Sequence, residues 1–193
     1  MKVIIISTPR TGSTTLLEIF SKLGFDIIFE PFEFRKDFQL KDNMCVKTII
    51  HQVPKNENNL EFYKEYVKKF DEVILLDRFE LNEHWESYLN LAYKINNKLN
   101  TNSTWVSGST PSDFILNFTK NGGYQRFLKM KGDINLLSES INKKIIYYEN
   151  LFNSNKQISL SSLAHLNLDF KNEIVNNIDL SNKFKKEKYD NLI

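Results

Sequence analysis

The chain of 193 residues is poor in the residues that build special scaffolds: it has one cysteine, three histidines, four prolines and six glycines. A single cysteine, Cys45, excludes an intrachain disulfide and a cysteine-based metal site and fits a reducing compartment. Its place inside an apolar run reads as a buried small hydrophobe. No stretch reaches the roughly 18 consecutive apolar residues of a membrane span. The apolar segment behind Met1 and Lys2 is too short for a signal peptide, so the expectation is a cytoplasmic protein without signal peptide, membrane anchor or membrane span. A formal charge of +2 excludes the broadly basic surface of a nucleic-acid coat, and no nucleic-acid partner is expected. Glycine is scarce where it would matter most. The first twenty residues hold only Gly12, which excludes a three-glycine dinucleotide fingerprint there.

What is present is the composition of a soluble globular protein, 41% hydrophobic and 26% charged, with no internal repeat. The length suits one domain over 1–193, with small C-terminal helices and a basic tail in 150–193. The chain is organised around its start. An apolar β-branched run, Val3-Ile4-Ile5-Ile6, reads as a buried strand of a parallel sheet. It opens into Ser7-Thr8-Pro9-Arg10-Thr11-Gly12-Ser13-Thr14-Thr15, after which Leu16, Leu17, Ile19, Phe20 and Leu23 take helical spacing. Such a strand-to-helix turn presents unpaired N–H groups at a helix N-terminus, and Arg10 adds a charge, so the stretch is a candidate anion site. An ordinary capped βα connection needs one hydroxyl; this one has several beside an arginine and a glycine. Read as a triphosphate-binding loop it fails, because Ser7 stands for the first glycine and Ser13 for the lysine.

Further strands are predicted at Gly24–Phe29, Met44–His51, Val73–Arg78 and Lys143–Leu151, with helices over Asn58–Phe70 and Glu83–Leu99. Weaker helices are expected near Phe114, over Tyr124–Met130 and over Ile134–Ile141, with Gly122-Gly123 as a break. The fold class is therefore α/β, a three-layer αβα arrangement around a mostly parallel sheet of about five strands. Glu30 follows the second strand and precedes Pro31, which places a carboxylate at the carboxyl edge where open α/β sheets bind ligands. Glu30 is a candidate general base; Glu33 is close by, and either reads equally well as a solvated loop carboxylate. Lys47 is notable because lysine is rarely buried without a partner. His84 reads as a surface histidine, Trp105 as a residue pinning a polar loop, and Lys183–Lys188 as a solvated basic tail.

Pro9-Arg10-Thr11-Gly12-Ser13-Thr14-Thr15-Leu16 resembles the 5′-phosphosulfate-binding loop of sulfotransferases that use 3′-phosphoadenosine 5′-phosphosulfate (PAPS), in the Arg form commoner among carbohydrate enzymes. The stretch Leu75-Leu76-Asp77-Arg78 with Glu86-Ser87-Tyr88-Leu89 resembles the second half of the signature, in which a strand-end Arg and a helical Ser bind the 3′-phosphate. A guanidinium fork and a hydroxyl suit a dianionic phosphate. Phe29-Glu30-Pro31 is similar to the family's second strand end, and Tyr148-Glu149-Asn150-Leu151 to its Tyr-Glu-Asp-Leu element, which is structural. In the soluble members the third strand ends in Lys-Thr-His with the histidine as base. Here Lys47-Thr48 matches but Ile49 follows, and His51 comes three residues after Thr48, so Glu30, Glu33 and His51 stay open as the base. The family's C-terminal Arg-Lys-Gly-x-x-Gly is absent.

The resemblance implies a P-loop-like sulfotransferase architecture and a nucleotide-binding transferase. It would move a sulfuryl group from PAPS to a hydroxyl or amine of a small-molecule or glycan acceptor and release adenosine 3′,5′-bisphosphate. Donor binding would fall to Arg10, Thr11, Gly12, Ser13, Thr14, Thr15, Arg78 and Ser87, with Lys47 assisting the sulfuryl group and Glu30 or His51 taking the proton. No metal is expected, because the donor has no β,γ-phosphate to chelate. The other readings are a small nucleotide or metabolite kinase with a degenerate triphosphate loop, and a nucleotide-binding domain that has lost its chemistry.

Overall fold

Val3 and Ile5 of the first strand, β1 (Lys2–Ser7), face one core while Ile4 and Ile6 face another, and all four are fully buried. A strand covered on both sides has no polar face, which is why its sequence is a continuous apolar run instead of an alternation. The structure, a computed structural model, describes residues 1–33, 38–54, 57–98, 110–152 and Leu163. Trp105, most of the polar loop around it and the basic run Lys183–Lys188 lie outside the described residues.

Four more strands join β1 in one parallel sheet: β2 (Asp26–Phe29), β3 (Met44–Ile49), β4 (Glu72–Asp77) and β5 (Ile145–Tyr147), in the order β2-β3-β1-β4-β5. Helix α1 (Ser13–Lys22) lays Leu16, Leu17, Ile19 and Phe20 on the Val3/Ile5 face, joined by Leu151, Phe152 and Leu163. The opposite face receives Tyr63 from α2 (Asn59–Tyr66) and Phe127, Met130, Ile134 and Leu137 from α5 (Gly123–Ile141). Helices α3 (Leu81–Asn96), α4 (Ser112–Lys120) and α6 (Tyr148–Leu151) complete the described set of six. The α/β class and the five-stranded parallel sheet are as the sequence pattern predicts, with helices on both faces. No helix among the described residues is long and apolar enough to cross a membrane.

From β1 the chain runs outward to β2, returns to β3, and crosses β1 to reach β4. Helices α1 and α2 lie on opposite faces, so the winding reverses beside β1, and the carboxyl ends of β1 and β4 are where open α/β sheets of this kind bind ligands. Because every strand is parallel, the segments after β1, β2, β3, β4 and β5 all emerge on that one edge. This places Arg10, Glu30, His51, Arg78 and Tyr148 on the same side of the molecule.

Several boundaries differ from expectation. Strand β3 stops at Ile49, with Ile50 and His51 in the turn beyond it, because Gln52 folds back: its side-chain oxygen accepts from Ile49 N–H at 3.0 Å. The two weak helices expected over 124–141 are one 19-residue helix, α5, since nothing between them breaks the backbone pattern. Gly122-Gly123 is the break before it. Gly122 has φ +76°, and a Cβ on Gly123 would collide with Phe118. The last strand is only three residues long and turns directly into α6 at Tyr148. The Asn58–Phe70 helix is α2, capped by the Asn58 side chain on the N–H groups of Leu60 and Glu61, followed by a 3-10 turn at Val67–Lys69.

Tyr63 ties this layer to the turn after β3. Its buried hydroxyl meets Thr48 Oγ1 at 2.9 Å and lies within hydrogen-bond distance of the carbonyls of Ile49 (3.0 Å) and Gln52 (2.5 Å). Tyr63→Phe removes that hydroxyl and leaves buried acceptors unmet, so it should cost about 1–3 kcal/mol. Urea unfolding should show a lower midpoint at unchanged slope.

Candidate anion-binding site

The turn after β1 is forced by two left-handed residues. Arg10 has φ +66° and Gly12 has φ +76°, so backbone N–H groups curl to one side in the manner of an anion nest before α1 begins. Thr11 Oγ1 donates to the Thr8 carbonyl at 3.0 Å and closes the turn from within. Leu16 N–H reaches the Gly12 carbonyl at 3.1 Å, so the helix takes hold only there. Among the described residues the N–H groups of Thr11, Gly12, Ser13, Thr14 and Thr15 have no acceptor. Gly12 caps α1 with no side-chain hydrogen bond, and no acidic residue sits in the first turn. The positive end of α1 is therefore bare.

Gly12 is required on two counts. Its φ is unfavourable for other residues, and a Cβ would collide with the Phe152 ring, with Tyr148 at 3.4 Å behind it. Tyr148 stacks near Phe152 at 4.7 Å between ring centroids and lies under the Arg78 guanidinium at 4.7 Å. The α6 aromatics thus connect the loop after β1 with the turn after β4.

Arg10 Nε donates to Ser87 Oγ at 3.1 Å, across 77 positions of sequence. This bond joins two residues that the sequence pattern assigned to separate half-sites. Among the described residues no carboxylate pairs with Arg10, whose affinity for its proton is lowered by burial and then by the like charge of Arg78, with Tyr148 opposing. Burial and then Arg10 lower Lys94 as well, two helical turns beyond Ser87. A buried guanidinium with no carboxylate partner among the described residues, as Arg10 is, marks a candidate place for an anion. Ser87 accepts from Arg10 and keeps its own proton for a further acceptor.

Arg78 follows β4 as expected, but it is engaged. Nη2 pairs with Glu83 Oε2 at 2.9 Å and Nε with Glu149 Oε1 at 3.5 Å. Glu149 also accepts the N–H groups of Phe79 (2.9 Å) and Glu80 (3.4 Å). Burial pushes its carboxyl up, yet those backbone donors and Arg78 outweigh burial and hold it below the usual range. Asp77 and Arg78, adjacent in sequence, do not pair with each other.

Asp77 belongs to a network that the sequence did not reveal. Its buried carboxylate accepts Thr8 Oγ1–H at 2.6 Å and the Lys131 ammonium at 2.7 Å. Lys131 also donates to the Arg78 carbonyl at 2.7 Å and lies 3.5 Å from His84 Nδ1. His84, expected at the surface, is completely buried; the face of α3 that carries it packs on Phe127 and the loop, and periodicity alone did not show that contact. Its Nε2 lies 2.6 Å from the Pro9 carbonyl. A carbonyl can only accept, which assigns the proton to Nε2 and leaves Nδ1 facing Lys131 as an acceptor. Burial, with Lys131 and Arg78 adding to it, pushes His84 down to about 4 against the Pro9 carbonyl and Asp77.

The second cluster lies at the ends of β2 and β3. Lys47 is buried and its Nζ pairs with Glu30 Oε1, 4.6 Å above the Phe29 ring. Burial lowers Lys47, with Glu30 opposing. Glu30 has φ +44°, and its other oxygen accepts from Gln52 Nε2 at 2.8 Å; the same amide reaches Glu33 Oε2 at 3.5 Å. The strand expected over Met44–His51 stops short of His51, which lies in the turn beyond Ile49. His51 is exposed in the turn, where desolvation of its ring lowers it and the carboxylates of Glu33 and Glu30 oppose. Gln52 was missed for the same reason. Among the described residues no group of three His, Cys, Asp or Glu side chains is placed to hold a metal ion.

Comparison with protein-family models, curated proteins and solved structures found no match.

Two predictions follow from the loop and its support. Gly12→Ala should destabilise the protein by more than the roughly 1 kcal/mol of an ordinary left-handed substitution, because the Phe152 ring must also move; thermal melting checks this. His84 titrates near 6.5 when unfolded and near 4 when folded. Its contribution to stability is complete above pH 6.5 and is lost as pH falls toward 4, by up to about 1.4 kcal/mol per unit. Urea unfolding across that range should show the loss in the wild type and its disappearance in His84→Gln.

Proposed function

We propose that the chain is a PAPS-dependent sulfotransferase with a P-loop-like architecture, acting on a hydroxyl or amine of a small-molecule or glycan acceptor. The observation that carries the reading is the Arg10–Ser87 hydrogen bond at 3.1 Å, because it joins the two motif halves around unaccepted N–H groups and an arginine without a carboxylate. The residues fit such a donor. The N–H groups of residues 11–15 with Arg10 would hold the 5′-phosphate, and Ser87 Oγ–H with Arg78 the 3′-phosphate. When bound, the group supplies an activated sulfuryl and a phosphate leaving group, whose growing charge the preorganised donors would stabilise.

The acceptor proton needs a base at the same edge. Glu30 offers a carboxylate held in place by Lys47 and Gln52, and His51 an imidazole whose basicity is lowered. Lys47 places a positive charge beside either. A kinase reading gains nothing from the site: the loop has no lysine at Ser13, and both oxygens of the strand-end Asp77 are taken by Thr8 and Lys131. One observation favours a nucleotide-binding domain without turnover, namely that Arg78 is already paired with Glu83 and Glu149.

Calorimetric titration should give at least tenfold tighter binding of adenosine 3′,5′-bisphosphate than of ATP, and Arg10→Ala should weaken the former at least tenfold. Preference for ATP, or no nucleotide binding, would sink the reading. Labelled-sulfate transfer to a panel of hydroxyl and amine acceptors, abolished by Arg10→Ala, separates the enzyme from the inactive domain. If Glu30→Gln abolishes transfer while His51→Gln leaves it, Glu30 is the base; the reverse pattern assigns His51.

A further inference from the structure

Helix α5 reaches the sheet edge with one polar side chain among its apolar ones. Phe127, Met130, Ile134 and Leu137 pack against the sheet, while the Lys131 ammonium is directed under the turns after β1 and β4. It meets Asp77 Oδ2 and the Arg78 carbonyl, both at 2.7 Å, and His84 Nδ1 at 3.5 Å. Each of these contacts leads somewhere different. Asp77 passes the constraint to Thr8 through a 2.6 Å hydrogen bond, and His84 passes it to Pro9 through another of 2.6 Å. The contact with Arg78 is direct and acts on the backbone of the β4 turn. One ammonium therefore reaches both the residues that precede Arg10 and the backbone of Arg78 after β4.

We propose that Lys131 is a positioning residue that sets the separation between the two phosphate half-sites, acting through Asp77 and His84 on one and through the Arg78 carbonyl on the other. The inference rests on the donor-site reading of those turns and adds to it a residue outside both motifs. The chemistry suits the task. An ammonium is a compact charge with three donors, and here three acceptors converge on it, so its position is over-determined. Its charge is balanced by Asp77 and the neutral histidine adds none, so the support stays in place without spending the positive field of Arg10 and Arg78. Rigid spacing matters for a ligand with two phosphates on one ribose, because the second phosphate binds tightly only if its site is already at the right distance.

Lys131→Met removes the ammonium but keeps most of the stem. Hydrogen exchange without ligand should show at least tenfold faster exchange at Thr8 N–H, which bonds the Leu76 carbonyl, and at Phe79 N–H, which bonds Glu149, with Ile5 in the sheet unchanged. Binding should show the advantage of adenosine 3′,5′-bisphosphate over adenosine 5′-monophosphate shrinking at least fivefold, with Lys131→Arg restoring part of it. If Lys131→Met does not fold, the pair Lys131→Met with Asp77→Asn leaves no unmatched buried charge, and its comparison with Asp77→Asn alone isolates the effect of Lys131 on the same two readouts. Faster exchange at only one of the two turns, equal acceleration across the sheet, or equal weakening of both ligands would overturn the proposal. Absence of binding of either ligand to the wild type would overturn the donor-site reading, and the exchange result would still decide whether Lys131 couples the turns.

Discussion

Asp77 ends β4 inside the protein, so its charge has to be met by protein groups and not by water. The groups that meet it, Thr8 from the loop after β1 and Lys131 from α5, make the rest of the edge follow. Thr8 is held against β4 by its hydroxyl and by its N–H on the Leu76 carbonyl. Lys131 in turn reaches the Arg78 carbonyl and the imidazole that grips Pro9. The N–H groups of residues 11–15 have no acceptor among the described residues, so hydrogen bonds to those groups do not hold the loop. It is held from beneath instead, through side chains and carbonyls.

This arrangement separates two kinds of positive charge. Lys131 and Lys47 each face a carboxylate and so support structure. Arg10 has none among the described residues and gives its field to the carboxyl edge of the sheet. Arg78 stands between them, tied to Glu149 and Glu83 but lying over the Tyr148 ring at that same edge. Glu83 is largely exposed, and such a surface pair contributes little, so its hold on the guanidinium is weak. Glu149 is the firmer partner, because it also closes the start of α3 through two backbone N–H groups.

The parts of the site carried by local sequence were legible. The run Val3–Ile6, the hydroxyl-rich turn with Gly12, and the apolar strand β4 that stops before Arg78 are contiguous patterns whose meaning comes from nearest neighbours along the chain. Ser87 was singled out by the resemblance of its stretch to a family signature, and the structure brings its hydroxyl to Arg10. His51 was misplaced by extending strand alternation past Ile49, a limit set by the Gln52 side chain folding back on the strand end. His84 read as a surface residue because nothing on its own helix announces that Pro9 and Asp77 lie against it. Lys131 had no signature at all: it is one of two lysines in α5, and nothing local tells it from Lys129.

By itself the sequence determined the α/β class, the parallel sheet and the bare turn after β1, since apolar runs, β-branched residues and a glycine at a left-handed position act locally. Only the tertiary structure decided which charges are spoken for. Pairing depends on what α5 and α6 bring to the sheet edge from 50 or more positions away and what the turn after β3 brings from about 20, and a charge in isolation carries no record of its partner. The tertiary structure thereby assigned Lys131, His84 and Asp77 to support, Arg10 to the candidate anion site, and Glu30 to the side of Lys47.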